Sequence, residues 1–260
     1  MEFIKLPLRY RGVLATTVIH SLKQKYIASV LGLFWLLLYP LLFLALYAIV
    51  FVMILNVRVP DLATQDYILL IFSGLIPFLA FSESFGTGVN SIASNGSLLK
   101  NMMFPIELIP MRDVVVGHVS MGVGLLLVVA ACFVLGFRHE TAFLVPVVYA
   151  LQNMMTIGVV WFFATLNVFF RDIGNLVPII TLSLMLVSPI AYTSDMVPEA
   201  IRSWIYVNPL AVLMDVYRAL LMEGVIPFEM LGLLCLMSLS TYFLGFQLIR
   251  RLKPLFADYV

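Results

Sequence analysis

Between Lys25 and Arg58 the chain carries no charged residue, a gap wide enough to cross a bilayer. A helix rises about 1.5 Å per residue, so about 20 apolar residues span a hydrocarbon core of roughly 30 Å. Runs of spanning length fall at 28–54, 67–90, 114–137, 142–170, 173–194 and 228–249. Only 11% of the 260 residues are charged and 63% are apolar, where a soluble domain carries about 25% charge. The pattern predicts an all-α integral membrane protein with six transmembrane helices, a single domain over 1–260. The first long apolar run starts too late and continues too far for a cleavable signal peptide. Cys132 and Cys235 both sit in apolar runs and read as small hydrophobes.

Six spans place both termini on one side. With both ends cytoplasmic, Lys5, Arg9, Arg11, Lys23, Lys25, Lys100, Arg112, Arg171, Arg250, Arg251 and Lys253 fall inside. Arg58, Arg138, Arg202 and Arg218 remain outside, a strong positive-inside bias. The reading is therefore a multi-pass membrane protein with both termini cytoplasmic.

Residues 203–222 are apolar enough to enter the membrane, but they hold Asn208, Pro209, Asp215 and Arg218. A mid-bilayer charge costs about 2.5–3.5 kcal/mol on insertion scales. A full crossing here would also put the basic C-terminus outside. The segment 195–226 is accordingly expected as a re-entrant hairpin dipping from the outer, periplasmic face, with Asp215 and Arg218 three apart and able to pair. Such backbone survives only beside other protein or a water-filled cavity.

The first 26 residues predict an amphipathic helix on the cytoplasmic interface, with Leu14, Val18 and Leu22 at four-residue steps. Residues 94–113 form the longest cytoplasmic loop, with two prolines and both charge signs. In the first span, Trp35, Tyr39, Phe43, Tyr47 and Phe51 recur every fourth position. That ladder climbs roughly 24 Å, but each step turns about 40°, so five rungs sweep about 160°. Two or three neighbouring rungs can share one path while the others pack. Pro40 should kink or loosen this span.

The chain holds no G-x-x-x-x-G-K-[ST], so it binds no ATP through a phosphate loop. No cluster has metal-ligand spacing, and His20, His118 and His139 are scattered. His118 reads as a packed histidine before a relay. Glu83, inside the second span, is a functional candidate by position; the alternative is a carboxylate satisfied by Ser82, Ser84 or a neighbouring helix. Ser120 and Gly124, spaced small-xxx-small, together with Gly117 and Gly122, allow close helix approach.

The order of several segments resembles the membrane subunit of bacterial ABC exporters of capsular polysaccharide and O-antigen, with teichoic acid exporters as near relatives. The resemblance rests on Leu22–Phe51, GLIPFLAFSES at Gly74–Ser84, NGSLLKNMMFPIELIP at Asn95–Pro110, and FFRDI at Phe169–Ile173. It continues in SPIAY at Ser188–Tyr192, Pro198, Asn208–Pro209, Arg218 and the closing RRLKPLFADYV. It implies a homodimer working with two copies of a separate ABC ATPase subunit, which would hold the ATP and Mg; this chain would have no cofactor and no enzyme activity of its own. It also implies a lipid-linked polysaccharide substrate, with periplasmic or outer-membrane export proteins as further partners, and no nucleic acid. Lys100, Phe104, Pro105, Glu107 and Arg171 become candidates for ATPase coupling, and 195–226 an outer gate. Rings stack on the C–H faces of sugars without fixing a register, so Trp35, Tyr39, Phe43, Tyr47, Phe78, Phe81 and Tyr192 become path candidates. Two alternatives are an ABC exporter of small amphiphiles or drugs, and an intramembrane enzyme acting on lipid-linked sugars. The enzyme would need acids or histidines clustered at one depth.

Overall fold

In a computed structural model, residues 2–27, 29–57, 63–95 and 105–259 are described, and all regular structure among them is helical. Helices α1 (Glu2–Arg9) and α2 (Arg11–Ile27) precede α3 (Trp35–Tyr47), which continues as a π-helix over Ala48–Ile54. Next come α4 (Thr64–Gly88), the short α5 (Ser91–Ser94), α6 (Leu108–Leu135), α7 (Val145–Phe169) and α8 (Asp172–Val187). Helices α9 (Glu199–Ile205), α10 (Pro209–Arg218) and α11 (Phe228–Leu252) complete the chain, with a 3-10 segment over Lys253–Asp258.

Among the described residues, five helical stretches are long and apolar enough to cross a membrane: Gly32–Ile54, Thr64–Gly88, Leu108–Leu135, Glu140–Phe169 and Phe228–Phe256. This is a multi-pass integral membrane protein. The expected fifth span, 173–194, is shorter as a helix: α8 has 16 residues, about 24 Å. Its stop has a local cause. Pro189 disfavours helical backbone in the residue before it, and Ser188 is extended at φ −76°, ψ 141°.

Side-chain contacts fix which ends of the helices lie together. On one face, Asn167 near the end of α7 donates to the Val89 carbonyl at 3.2 Å and to Asn90 Oδ1 at 3.1 Å, and accepts from the Gly174 amide at 2.8 Å. Lys253, just past α11, reaches Glu107 at the start of α6. Helix α2 joins this half through Lys25 and Glu83, and the segment after α11 lies on the same face, the near face. On the far face, His139 and Thr141 between α6 and α7 bond the Met222 and Leu220 carbonyls, at 3.1 and 2.6 Å.

The segment from Ser188 to Pro227 leaves and rejoins the fold on this far side. Its two helices, α9 and α10 with the π-turn Ala219–Glu223, are bent 96°. Asn208 caps α10, its Oδ1 accepting from the Leu210 amide at 3.0 Å, with Pro209 at the first helical position. Its amide nitrogen donates to Ser188 Oγ at 2.8 Å, pinning the bend to the end of α8. Helix α10 is enclosed: Leu213, Met214, Val216 and Tyr217 are all 0% exposed.

Arg218 holds the unwound stretch after α8. Its guanidinium donates to the carbonyls of Pro189 (2.6 Å), Ile190 (2.9 Å), Tyr192 (3.2 Å) and Leu70 (3.4 Å), and lies 3.6 Å from Asp215. These carbonyls of the unwound stretch have no helical donors, so the arginine fan supplies what the backbone lacks. Room for it comes from Gly74 in α4, where a Cβ would stand 3.1 Å from Arg218 Nη2.

Glycines set the closest helix approaches. A Cβ on Gly245 of α11 would overlap the Gly158 carbonyl of α7, and one on Gly158 would overlap the Thr241 carbonyl. In α6, a Cβ on Gly124 would meet Ile76 Cδ1 at 2.7 Å and Pro40 Cβ at 3.3 Å. Without a hydrophobic drive between helices in lipid, such close backbone packing carries much of the stability. Gly158→Val should therefore lower stability by about 2 kcal/mol or more, read as a lower melting temperature in detergent with membrane insertion unchanged. Arg218→Leu should cost about 2–5 kcal/mol, because the carbonyls lose their donor while Asp215, still bonded to Ser194 at 2.6 Å, loses its cation. The same melting assay, with thiol labelling of a cysteine placed at Ser194, checks it.

Candidate transport surface

The ring ladder on α3 is split by its surroundings. Trp35 and Tyr39 line a groove of about 370 Å3 with Lys25, Ser29, Glu83 and Met121. Tyr47 and Phe51 line a second groove of about 300 Å3 with Met185, Ser188, Ile190 and Tyr192. Phe43, between them, packs on the core and tilts against Tyr39 at a centroid distance of 4.9 Å. Tyr47 and Phe51 stack at 5.6 Å and 15°. The first groove sits in the near half of the molecule, the second on the far side beside the clamp of Arg218. Phe78 and Phe81 line neither groove. They are 1% and 5% exposed in the subunit core, where Phe81 stacks on Phe85 at 5.4 Å, so the expectation that they face a path is corrected.

The first groove contains an ion pair. Lys25 Nζ bonds Glu83 Oε1 and lies 3.3 Å from Ser120 Oγ, which Tyr26 also reaches at 3.3 Å. Glu83 is thus satisfied by a lysine from α2, not by Ser84, whose hydroxyl bonds the Ala80 carbonyl at 2.6 Å. Sequence reading counted Lys25 only among the inner positive charges. A partner 58 residues away leaves no periodic signal. The lysine side chain keeps 38% exposure and the glutamate 19%. Across the groove, Trp35 Nε1 donates to Ser29 Oγ at 2.8 Å, which sets the indole plane.

Helix α2 uses the predicted stripe. Val18 and Tyr26 are buried and Leu14 and Leu22 half-buried, so the four-residue repeat faces protein. His118 is packed at 1% exposure, its Nδ1 near the Val114 carbonyl at 3.0 Å and Ser84 Oγ at 3.1 Å. Gln152 and Tyr217, which the sequence reading did not single out, form a buried bridge. Gln152 donates to the Pro77 carbonyl at 2.8 Å and accepts from Tyr217 at 3.1 Å.

Lys100 and Phe104 lie outside the described residues, as does much of loop 94–113. Pro105 is half-buried and Arg171 exposed at the α7–α8 turn. Glu107 is only 4% exposed, its carboxylate held by Lys253 at 3.0 and 3.2 Å, and its carbonyl accepts from Trp161 Nε1 at 2.8 Å. As a direct contact for a partner Glu107 is therefore corrected: it ties the start of α6 to the C-terminal segment. That segment is fixed further by Phe169, 5.9 Å from Phe256 and 4.9 Å from Tyr259. Among the described residues, no group of three His, Cys, Asp or Glu side chains could hold a metal.

Residues 14–222 match the family model for ABC-2 type transporters. The chain is 32% identical over 240 residues to the O-antigen export system permease protein RfbA of Klebsiella pneumoniae, covering 92% of this chain and 91% of that protein. It is 30% identical to the protein of the same name in Myxococcus xanthus, over 84% of each chain. It is 26% identical to the polysialic acid transport protein KpsM of Escherichia coli, over 85% of each. A helical membrane protein whose family match covers most of its length in this way belongs to the ABC-2 type transporter family.

Proposed function

We propose that this chain is the membrane subunit of an ATP-driven exporter that carries a polysaccharide across the bacterial cytoplasmic membrane. The observation that carries the reading is the match to an O-antigen export permease over nine-tenths of both chains. Family membership implies an ABC ATPase as partner, and the chain's lack of a phosphate loop agrees with a motor on another polypeptide. The finer picture is two ATPase copies beneath a homodimer, with both termini of this chain cytoplasmic.

The grooves suit such a cargo. A polysaccharide presents C–H faces that stack on rings and hydroxyl edges that keep water. The half-exposed rings of α3 offer stacking at two depths. Only 6% of the α3 spanning window is buried within the subunit, and α8 exposes Leu176, Ile179, Leu182 and Leu186. These faces suit a second copy, with the path between copies. The hairpin around Arg218 and Asp215 would close the path on the outer side. Loop 94–113, with Lys100, Phe104 and Pro105, and the exposed Arg171 would receive the ATPase. Glu107–Lys253 would carry its movement into α6 and α11 together.

The primary test is deletion and complementation: loss of surface polysaccharide on deletion, restored by this chain together with its ATPase. Full surface polysaccharide without it would reject the reading. Within that assay, Tyr39→Ala with Tyr47→Ala should reduce export at least severalfold while membrane levels stay normal. Glu107→Lys should lower export per ATP hydrolysed, and adding Lys253→Glu should restore much of it, because the reversed pair can re-form. Equal transport-to-hydrolysis ratios in all three proteins would refute the transmission role.

A further inference from the structure

We infer that the groove formed by Lys25, Ser29, Trp35, Tyr39 and Glu83 is a gripping site that holds a neutral sugar unit of the exported chain. The inference rests on the export reading above and adds a site and its ligand chemistry. The two grooves differ in what they can do. The far groove offers rings and aliphatic side chains, with Ser188 among its few polar groups, so a chain stacked there is free to slip. The near groove adds both signs of charge to its rings.

The ion pair says first what the groove faces. Lys25 and Glu83 retain 38% and 19% side-chain exposure, and Glu83 lies inside a span with its end at Gly88. Charges opening onto hydrocarbon at this depth would be strongly disfavoured. The groove therefore opens to water or to a polar ligand.

The pair also says what the ligand is. Its charges cancel, so a phosphate near Lys25 would meet the Glu83 carboxylate as well. A sugar diol suits both: one hydroxyl accepts from the ammonium while its neighbour donates to the carboxylate, and such charge-assisted bonds are the strong ones. The ring plane is prepared too. Trp35 is held by Ser29 at 2.8 Å, and Tyr39 stands 40% exposed beside it. The Tyr39 hydroxyl makes no hydrogen bond among the described residues, leaving it for a sugar oxygen. A volume of about 370 Å3 falls within the roughly 300–1,000 Å3 usual for small-ligand sites. Because Lys25 belongs to the interface helix, occupancy of the groove would be felt by α2 directly.

The test uses the full complex in cells that export the polymer, with a photoreactive benzoylphenylalanine at Tyr39 or, separately, at Ser29. A control probe replaces Leu236, 65% exposed on α11. The polymer carries a radioactive neutral sugar, and the lipid carrier is labelled with radioactive phosphate. Ultraviolet light should attach sugar label to the permease from positions 39 and 29 and not from 236. Glu83→Gln, and independently Trp35→Leu, which leaves the ion pair intact, should each cut that adduct about tenfold at equal membrane level. Sugar-free adducts, adducts whose label is confined to the carrier phosphate, or adducts unchanged in both variants would overturn the inference while wild-type export stands. Failure of the wild-type complex to export would instead reject the reading beneath it.

Discussion

A guanidinium inside a membrane fold is tolerable only when protein meets most of its hydrogen-bonding demand, and Arg218 does so through Nη1 and Nη2, which meet another need in turn; its buried Nε has no partner among the described residues. The chain unwinds after α8 because Pro189 follows Ser188, and the carbonyls of Pro189, Ile190 and Tyr192 lose helical donors. One planar fork reaches all three and the Leu70 carbonyl besides. A lysine could not spread over the same set. Without the fork neither the broken α8 nor the bent α9–α10 pair has a stable place between α4 and the far face. Gly74 supplies the space, so one glycine, one proline and one arginine on three elements depend on each other.

That clamp explains why the far groove exists. Tyr192 belongs to the strip that Arg218 holds, and it closes the groove opposite Tyr47 and Phe51. At the other end, Lys25 and Glu83 tie α2 to α4 and leave a charged, ring-lined recess. The two grooves share the α3 ladder and differ in polarity: rings and aliphatic side chains line the far one, rings and an ion pair the near one. The near face binds its pieces differently, through Asn167 at the α7–α8 turn and Glu107 with Lys253. A push on the start of α6 is therefore shared with the C-terminal segment.

Glu107 shows where single-position reading goes wrong. A glutamate in a polar loop reads as exposed and available for a partner. Its partner is 146 residues away at the end of α11, and burial converts a contact residue into an internal tie. Phe78 and Phe81 fail for the same reason. A ring in a span reads as available for stacking on a sugar, but α4 is the most enclosed of the long helices, with 83% of its spanning window buried.

The sequence by itself determined that this chain is a helical membrane protein, because charge-free runs of bilayer length have few other solutions. It also marked residues 195–226 as a segment too charged for an ordinary crossing, since charge is a local property. The stripe of Leu14, Val18 and Leu22 was legible for the same reason: a period needs only one element. Tertiary structure alone decided the partners of Glu83, Glu107 and Arg218, the Gly158–Gly245 crossing, and which rungs of the ladder share a groove. Each of those depends on distances between helices far apart in the chain, and no spacing within one helix encodes them.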